Sequence, residues 1–231
     1  MSSNPKISIV IPAYNEEARI ESVVVNICDQ FPGQEIIVVC NGCIDNTHDI
    51  LNTLRARYPQ VRILDFQKKL GKGGAIIEGF RAAEGEKIGF ADADDSVEPG
   101  DIEGMFAALS DADGVIASRR MSKSIITVKQ PIIRRFSSRI FNIIVRALFS
   151  LNFKDTQCGV KVFRKEVIKD ILNSLSATGF EFDVELLWKL KSKGYRVVEF
   201  PVVWKHVEGS TFRLTNAPGM LLSLLKIRFS K

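Results

Sequence analysis

The 231-residue sequence has no apolar run near the roughly eighteen residues that cross a bilayer. It has only two histidines and four cysteines, Cys28, Cys40, Cys43 and Cys158, so a disulfide-stapled miniature is excluded. No internal repeat and no Pro/Gly/Ser-rich linker divides it, and one domain over 1–231 is the simplest organisation. The polar start, Met1–Lys6, leads straight into a strand-like run and reads as no signal peptide; thiols without one suggest a reduced, cytoplasmic protein. Charge of one sign is absent from one stretch and nearly absent from another. Asp92–Asp113 has eight acids and no Lys or Arg, whereas Arg119–Arg164 has eleven Lys or Arg and one acid, Asp155. A uniformly basic nucleic-acid binder would not need that acidic block. The division suits one site that gathers a cation and another that gathers an anion.

In the first half, apolar runs alternate with amphipathic segments. Strands are expected at Ile7–Ile11, Glu35–Cys40, Val61–Phe66, Lys87–Ala91 and Gly114–Ser118, with helices at Glu16–Gln30, Asp45–Tyr58, Gly73–Ala83 and Gly100–Leu109. Wholly apolar strands separated by helices imply a mainly parallel, doubly wound α/β sheet, whose ligands gather at the carboxyl ends of the strands. After Arg120 the alternation lapses. Met121–Pro131 reads as a basic loop, Arg134–Leu151 as a helix, Lys161–Phe163 as a short strand, Glu181–Lys193 as a helix closed by Gly194, Tyr195–Trp204 as a strand and Ala217–Phe229 as a helix.

Asp92-Ala93-Asp94-Asp95 ends an apolar strand. In extended chain Asp92 and Asp94 point to one side, where two carboxylates repel unless a cation lies between them. Such oxygen ligands suit Mg2+ or Mn2+ holding a diphosphate. Two blander explanations exist: Asp95 or Ser96 capping a helix that starts near Pro99, or a calcium loop, which fails at Val97 where glycine is needed. Lys69-Leu70-Gly71-Lys72-Gly73-Gly74-Ala75 opens a helix and could admit an anion to its N–H groups, although it is not a P-loop. Cys40-Asn41-Gly42-Cys43, between strand and helix, leaves a thioredoxin-like redox pair open as a reading from another class.

Val10-Ile11-Pro12-Ala13-Tyr14-Asn15-Glu16-Glu17 with the Asp92-Ala93-Asp94 turn resembles the inverting family-2 glycosyltransferases of the GT-A fold. Asp155-Thr156-Gln157-Cys158-Gly159-Val160-Lys161-Val162-Phe163, with Phe182–Leu187 and Gly209-Ser210, is similar to dolichyl-phosphate β-glucosyltransferases and, less closely, to dolichyl-phosphate mannose synthases. The resemblance implies a nucleotide-sugar-binding half, 1–118, and an acceptor-binding half, 119–231. It implies that Pro12, Ala13, Tyr14 and Glu16 line a nucleoside pocket with the Cys40–Asp45 turn, that Lys72 lies near the donor, and that Asp92 and Asp94 hold the metal. Arg119, Arg134 and Ser138 match positions that receive an acceptor phosphate. Where the family usually has Asp-Asp-Gly-Ser, this chain has Cys40-Asn41-Gly42-Cys43. Neutral Asn41 could accept from uracil N3–H but does not favour guanine's paired donors, which points to uridine. Ser96, in place of a metal-proximal Gln, also points away from the mannose synthases.

A lipid monophosphate, with a second pKa of about 6, is already a nucleophilic anion at neutral pH and needs no general base. A polyprenyl or dolichyl phosphate therefore fits a basic segment following an acidic turn. Asp155 and Asp183 stand in reserve, either to order arginines or to act as base if the acceptor is a glycan or glycolipid hydroxyl. Transfer of mannose from GDP-mannose is a further alternative. Arg135, Arg139 and Arg146 share one face of their helix, with Phe136, Ile140, Ile143, Ile144, Ala147 and Leu151 on the other. With Met220–Phe229, this could rest peripherally on a membrane or pack on the core.

Overall fold

The computed structural model describes residues 6–128, 132–207 and 217–229, and side chains throughout these except at 132–138 and 217–218. In chain order the elements are β1 (Ile7–Ala13), α1 (Ile20–Gln30), β2 (Glu35–Asn41), α2 (Thr47–Arg57), β3 (Val61–Phe66), α3 (Gly71–Ala82), β4 (Lys87–Ala91), α4 (Pro99–Ala107) and β5 (Gly114–Ser118). Then follow β6 (Ile125–Val128), α5 (Ile132–Phe149), β7 (Val160–Arg164), α6 (Lys165–Leu172), α7 (Phe182–Ser192), β8 (Val197–Pro201), β9 (Val203–Lys205) and α8 (Ala217–Phe229).

Seven strands form one sheet in the order β3-β2-β1-β4-β7-β5-β8. All pairs are parallel except those of β7, which runs antiparallel between β4 and β5. The expected mainly parallel, doubly wound sheet is present. Alternation of side chains along the strands divides the core between its two faces. Ile9, Ile11 and Val38 pack with Val23, Ile27 and Leu51 and with Ile102 and Met105 on the face covered by α1, α2 and α4. Val10, Ile37 and Val39 pack with Ile76 and Phe80, Val167 and Ile171, and Leu186 on the face covered by α3, α6 and α7. A third cluster joins Ile116 of β5 to Val145 and Phe149 of α5, Val184 and Leu187 of α7, and Leu224 of α8.

Departures in the kind of element fall after Arg120; before it only boundaries shift, α1 starting at Ile20 instead of Glu16. The stretch read as a loop, 121–131, contains β6, and the run read as one strand, Tyr195–Trp204, is broken at Val202 into β8 of the large sheet and β9 of a second sheet. There β6 and β9 pair in parallel. Isolated exposed edges such as Ile125 and Val128 carry no alternation signal. Helix α6 begins directly after β7 with no intervening turn residues, so strand and helix merge in the sequence.

Candidate active site

At the carboxyl ends of β1, β2 and β4 lies a cavity of about 340 Å³. Pro12, Ala13, Tyr14, Glu16, Asn41, Lys72, Asp92 and Asp94 all line it, with Lys69 of the glycine-rich stretch, and they are joined by Arg19, Gly179 and Phe180, which the sequence did not single out. The Lys69 ammonium lies 3.5 Å from the Tyr14 ring centre, and Glu16 pairs with Arg19. Burial raises the Glu16 pKa against the pull of Arg19. Asn41 is buried, and its Oδ1 accepts the Leu70 N–H at 2.6 Å. That oxygen therefore fixes the start of α3, and the expected bond from a uracil N3–H would have to share it.

The glycines of α3 serve packing. A Cβ at Gly71 would collide with the Thr178 carbonyl and one at Gly73 with the Ala177 carbonyl and Phe182. The Gly74 N–H donates to Thr178 O at 3.2 Å, where an anion was expected. The charge that reaches the cavity from this segment comes from the side chains of Lys69 and Lys72.

Asp92 follows the last residue of β4. Its N–H donates to Gly159 O at 3.0 Å, and a Cβ at Gly159 would strike its carboxylate. The Asp155–Phe163 motif thus meets the acidic turn at its one glycine. Lys72 Nζ lies 2.8 Å from Asp92 Oδ1 and 3.5 Å from Asp183 Oδ2. Fully buried Lys161 pairs with Asp183 and also donates to Cys158 O at 2.9 Å. Carboxylate and ammonium alternate along Asp92, Lys72, Asp183 and Lys161. Burial raises the Asp92 pKa; Lys72 opposes this, and Asp94 and Asp183 reinforce it. Burial also opposes the charged forms of Asp183 and Lys72. The two lysines nevertheless hold Asp183 below its ordinary value, and Asp183 and Asp92 raise Lys72.

Asp94 Oδ1 accepts the Ser96 N–H at 3.0 Å, and Asp95 pairs with Lys205 at 2.8 Å. Helix α4 starts at Pro99 after Glu98, without a side-chain cap, so capping by Asp95 or Ser96 does not explain the acids. Asp92 and Asp94 face one cavity with oxygen donors only, and no cluster of three His, Cys, Asp or Glu suited to a metal occurs among the described residues. Two carboxylates fit a hard cation that takes its other ligands from phosphate and water. Burial first, and then the neighbouring carboxylates of Asp94 and Asp183, raise Asp92, and a bound cation would offset both.

On the other side of β7, Asp155 grips Arg119 with a fork: Nε to Oδ2 at 2.7 Å and Nη2 to Oδ1 at 2.8 Å, with the Arg119 N–H to Oδ2 at 3.0 Å. Burial opposes the Asp155 charge, but Arg119 holds its pKa down at about 2. The guanidinium carbon sits 5.3 Å from the ring centre of Trp204 on β9, so the small sheet braces Arg119. Glu199 accepts the N–H groups of Lys154 and Asp155 at 2.9 and 3.0 Å. Arg134 and Ser138 lie on α5, with side chains outside the described residues. Lys161 could have been noticed in the sequence as a lone lysine within an apolar strand. Its pairing with Asp183, 22 positions away, could not.

Two further expectations change. Helix α2 starts at Thr47, four residues after Cys43, so Cys43 lacks the helix N-terminus of a thioredoxin pair. On α5 the core receives Asn142, Val145 and Phe149, whereas Ile140, Ile143 and Ile144 face outward, Ile143 being 63% exposed. Of the apolar face that could have met either membrane or core, Leu151 packs in the core and these three isoleucines do not.

Comparison with known proteins agrees with this geometry. The model of "Glycosyl transferase family 2" matches residues 8–172. Dolichyl-phosphate beta-glucosyltransferase of Saccharomyces cerevisiae is 30% identical over 90% of this chain and 69% of its own length. The Homo sapiens protein of that name is 30% identical over 90% of this chain and 70% of its own length. Glycosyltransferase AglD of Haloferax volcanii is 31% identical over 87% of this chain, which spans only 33% of that protein. Glucosyl-3-phosphoglycerate synthase of Mycobacterium tuberculosis, solved with Mn2+, UDP and glucosyl-3-phosphoglycerate, superposes with a TM-score of 0.70 at 20% identity, over 98% of this chain and 80% of that one. The sheet is thus of the GT-A kind. With the fold, the matched span and a curated relative at 30% identity in agreement, the chain belongs to glycosyl transferase family 2.

Proposed function

We propose that this glycosyltransferase is a metal-dependent, inverting enzyme that moves glucose from UDP-glucose to a polyprenyl or dolichyl phosphate. It would act as one domain, with 1–118 holding the donor and 119–231 the acceptor. The observation that carries this is the state of the two reserve carboxylates. Asp155 is committed to Arg119 and Asp183 to Lys161 and Lys72. Ion-paired and held at low pKa, both are poor general bases. An acceptor that arrives as an anion needs none, which favours a lipid phosphate over a hydroxyl.

Asp92 and Asp94 would hold Mg2+ or Mn2+, whose charge when bound offsets the charge that develops on the departing diphosphate. Lys72, already beside Asp92, supplies a second positive charge at the same rim. Tyr14, Pro12 and Ala13 offer the surface for the nucleoside. Arg119, held rigid by Asp155 and Trp204, orients the acceptor phosphate, and Arg134 and Ser138 are assigned the same task. An acceptor oxygen attacks the anomeric carbon from the side opposite the diphosphate. The carbon–oxygen bond to the diphosphate breaks as the new one forms, UDP leaves, and the configuration inverts. Uridine and glucose are supported by the relatives' names and by the M. tuberculosis enzyme solved with Mn2+ and UDP-glucose.

A lipid acceptor calls for residence at a membrane surface, and the cytoplasmic side is assigned to it as part of this reading. Among the described residues no helix is long and apolar enough to cross a membrane. Ile140, Ile143 and Ile144 on α5, and Leu222 and Phe229 on α8, are exposed alongside Arg139, Lys226 and Arg228, a composition suited to an anionic bilayer interface. All four cysteines are free thiols. A thermal-shift panel of UDP-, GDP- and CDP-sugars with and without Mn2+ tests the donor: UDP-glucose with Mn2+ should give the largest rise. An equal or larger rise with a GDP-sugar would overturn that assignment.

A further inference from the structure

Lys72 holds Asp92 by both carboxylate oxygens: Nζ lies 2.8 Å from Oδ1 and 3.1 Å from Oδ2. One ammonium thus takes up the two oxygens that Asp92 could offer a cation. The root of the lysine is fixed, because Gly71 and Gly73 on either side press against the Thr178 and Ala177 carbonyls. Its tip is not. The flexible four-carbon stem ends between two carboxylates, with Asp183 Oδ2 at 3.5 Å on the inner side. Asp183 is itself held by Lys161, which is fully buried and donates also to Cys158 O at 2.9 Å.

Side-chain exposure falls from 29% at Asp92 to 14% at Lys72 and 3% at Asp183. A cation arriving through the cavity can reach Asp92 but not Asp183, and at Asp92 it meets the ammonium. Burial opposes the charge of Lys72, but Asp183 and Asp92 outweigh burial and keep it protonated. Three carboxylates, Asp92, Asp94 and Asp183, therefore face two ammonium groups, and the cluster is close to neutral before any ion binds. Like charges in contact at such a partly buried place repel about four times more strongly than in bulk water. A diphosphate supplies the negative charge that lets a second cation in.

We propose that Lys72 is a tethered counter-ion that keeps divalent cations off Asp92 until a diphosphate enters the cavity. With the diphosphate present, Nζ gives up Asp92 and keeps Asp183, so that cation and nucleotide bind together. Lys161 makes this exchange possible by holding Asp183 in place as the second partner. This role rests on the assignment of Asp92 and Asp94 to the ion.

The test follows Mn2+ without nucleotide through loss of the free-ion EPR signal. Lys72→Met should bind Mn2+ about tenfold more tightly than the wild type. K72R keeps the charge and should bind as the wild type does, and K72M/D92N should lose the gain. K72Q, measured in parallel, should show the same gain as K72M, so the result does not hang on one replacement folding. UDP should tighten Mn2+ binding by a smaller factor in K72M than in the wild type. A lysine that merely supported the fold would give a weaker or unchanged Mn2+ affinity on replacement. No gain in K72M and K72Q, an equal gain in K72R, or an unchanged UDP factor would overturn the counter-ion role while leaving the ion on Asp92. If the wild type binds no Mn2+ even with UDP, or the gain survives D92N, the ion is not on Asp92 and both assignments fall.

Discussion

Gly159 makes room for Asp92: its carbonyl accepts the Asp92 N–H at 3.0 Å, and its missing Cβ leaves the space the carboxylate fills. G159A should drive that carboxylate from its place while leaving β4 and β7 paired. The Mn2+-dependent part of the UDP thermal shift should vanish, and turnover should fall about a hundredfold, as for a group moved by about an ångström. Retention of the Mn2+-dependent shift would mean that Asp92 does not hold the ion.

The Arg119–Asp155 fork is buried, so D155N should leave an unmatched guanidinium and cost about 3–5 kcal/mol of stability. It should also raise the KM for the lipid phosphate while UDP binding stays intact. The native carboxyl, at about 2, releases its proton more readily than the unfolded chain. Its contribution is therefore complete above about pH 4, amounts to about 2 kcal/mol, and is lost as pH falls through about 2. The stability gap between wild type and D155N, measured by urea melts, should shrink across that window and stay flat above it.

Lys161 and Asp183 should behave as a unit. K161M leaves a buried carboxylate with only Lys72 and should cost about 3 kcal/mol or more. K161M/D183N should recover part of that loss, because it removes both charges. Additive losses in a double-mutant cycle would show that the pair is not coupled.

The chain before and after Arg119 differed in how much the sequence revealed. Strands β1 to β5 are apolar runs with helices between them, and the acids at the end of β4 stand out against such a run. Asp92 and Asp94 were therefore locatable from local pattern alone, whereas Tyr14 came only with the family resemblance. Ion pairs are not local. Nothing near Asp183 in the chain names Lys161, and Trp204 reaches Arg119 only because β8 ends and β9 crosses to another sheet. The orientation of α5 was illegible for a related reason: periodicity gives a helix two faces but does not say which one the core takes, and the buried face includes Asn142, which donates to Thr156 Oγ1 at 3.1 Å.

Exposed Ile143 and Ile144 provide the test of membrane contact. I143D/I144D should leave the melting temperature and UDP affinity unchanged. It should lower flotation with anionic vesicles, and activity on vesicle-borne acceptor, about tenfold or more, the loss of roughly one buried isoleucine. Equal flotation of both proteins would remove this face from the account.

The direct test of the whole is product analysis. Reduced protein incubated with UDP-glucose, Mn2+ and a short polyprenyl phosphate should yield a β-linked glucosyl phosphate lipid by NMR, with none when EDTA is added and none when the phosphate is replaced by the parent alcohol. Glucosylation of the alcohol at a comparable rate, or an α-linked product, would contradict inverting transfer to an anionic acceptor.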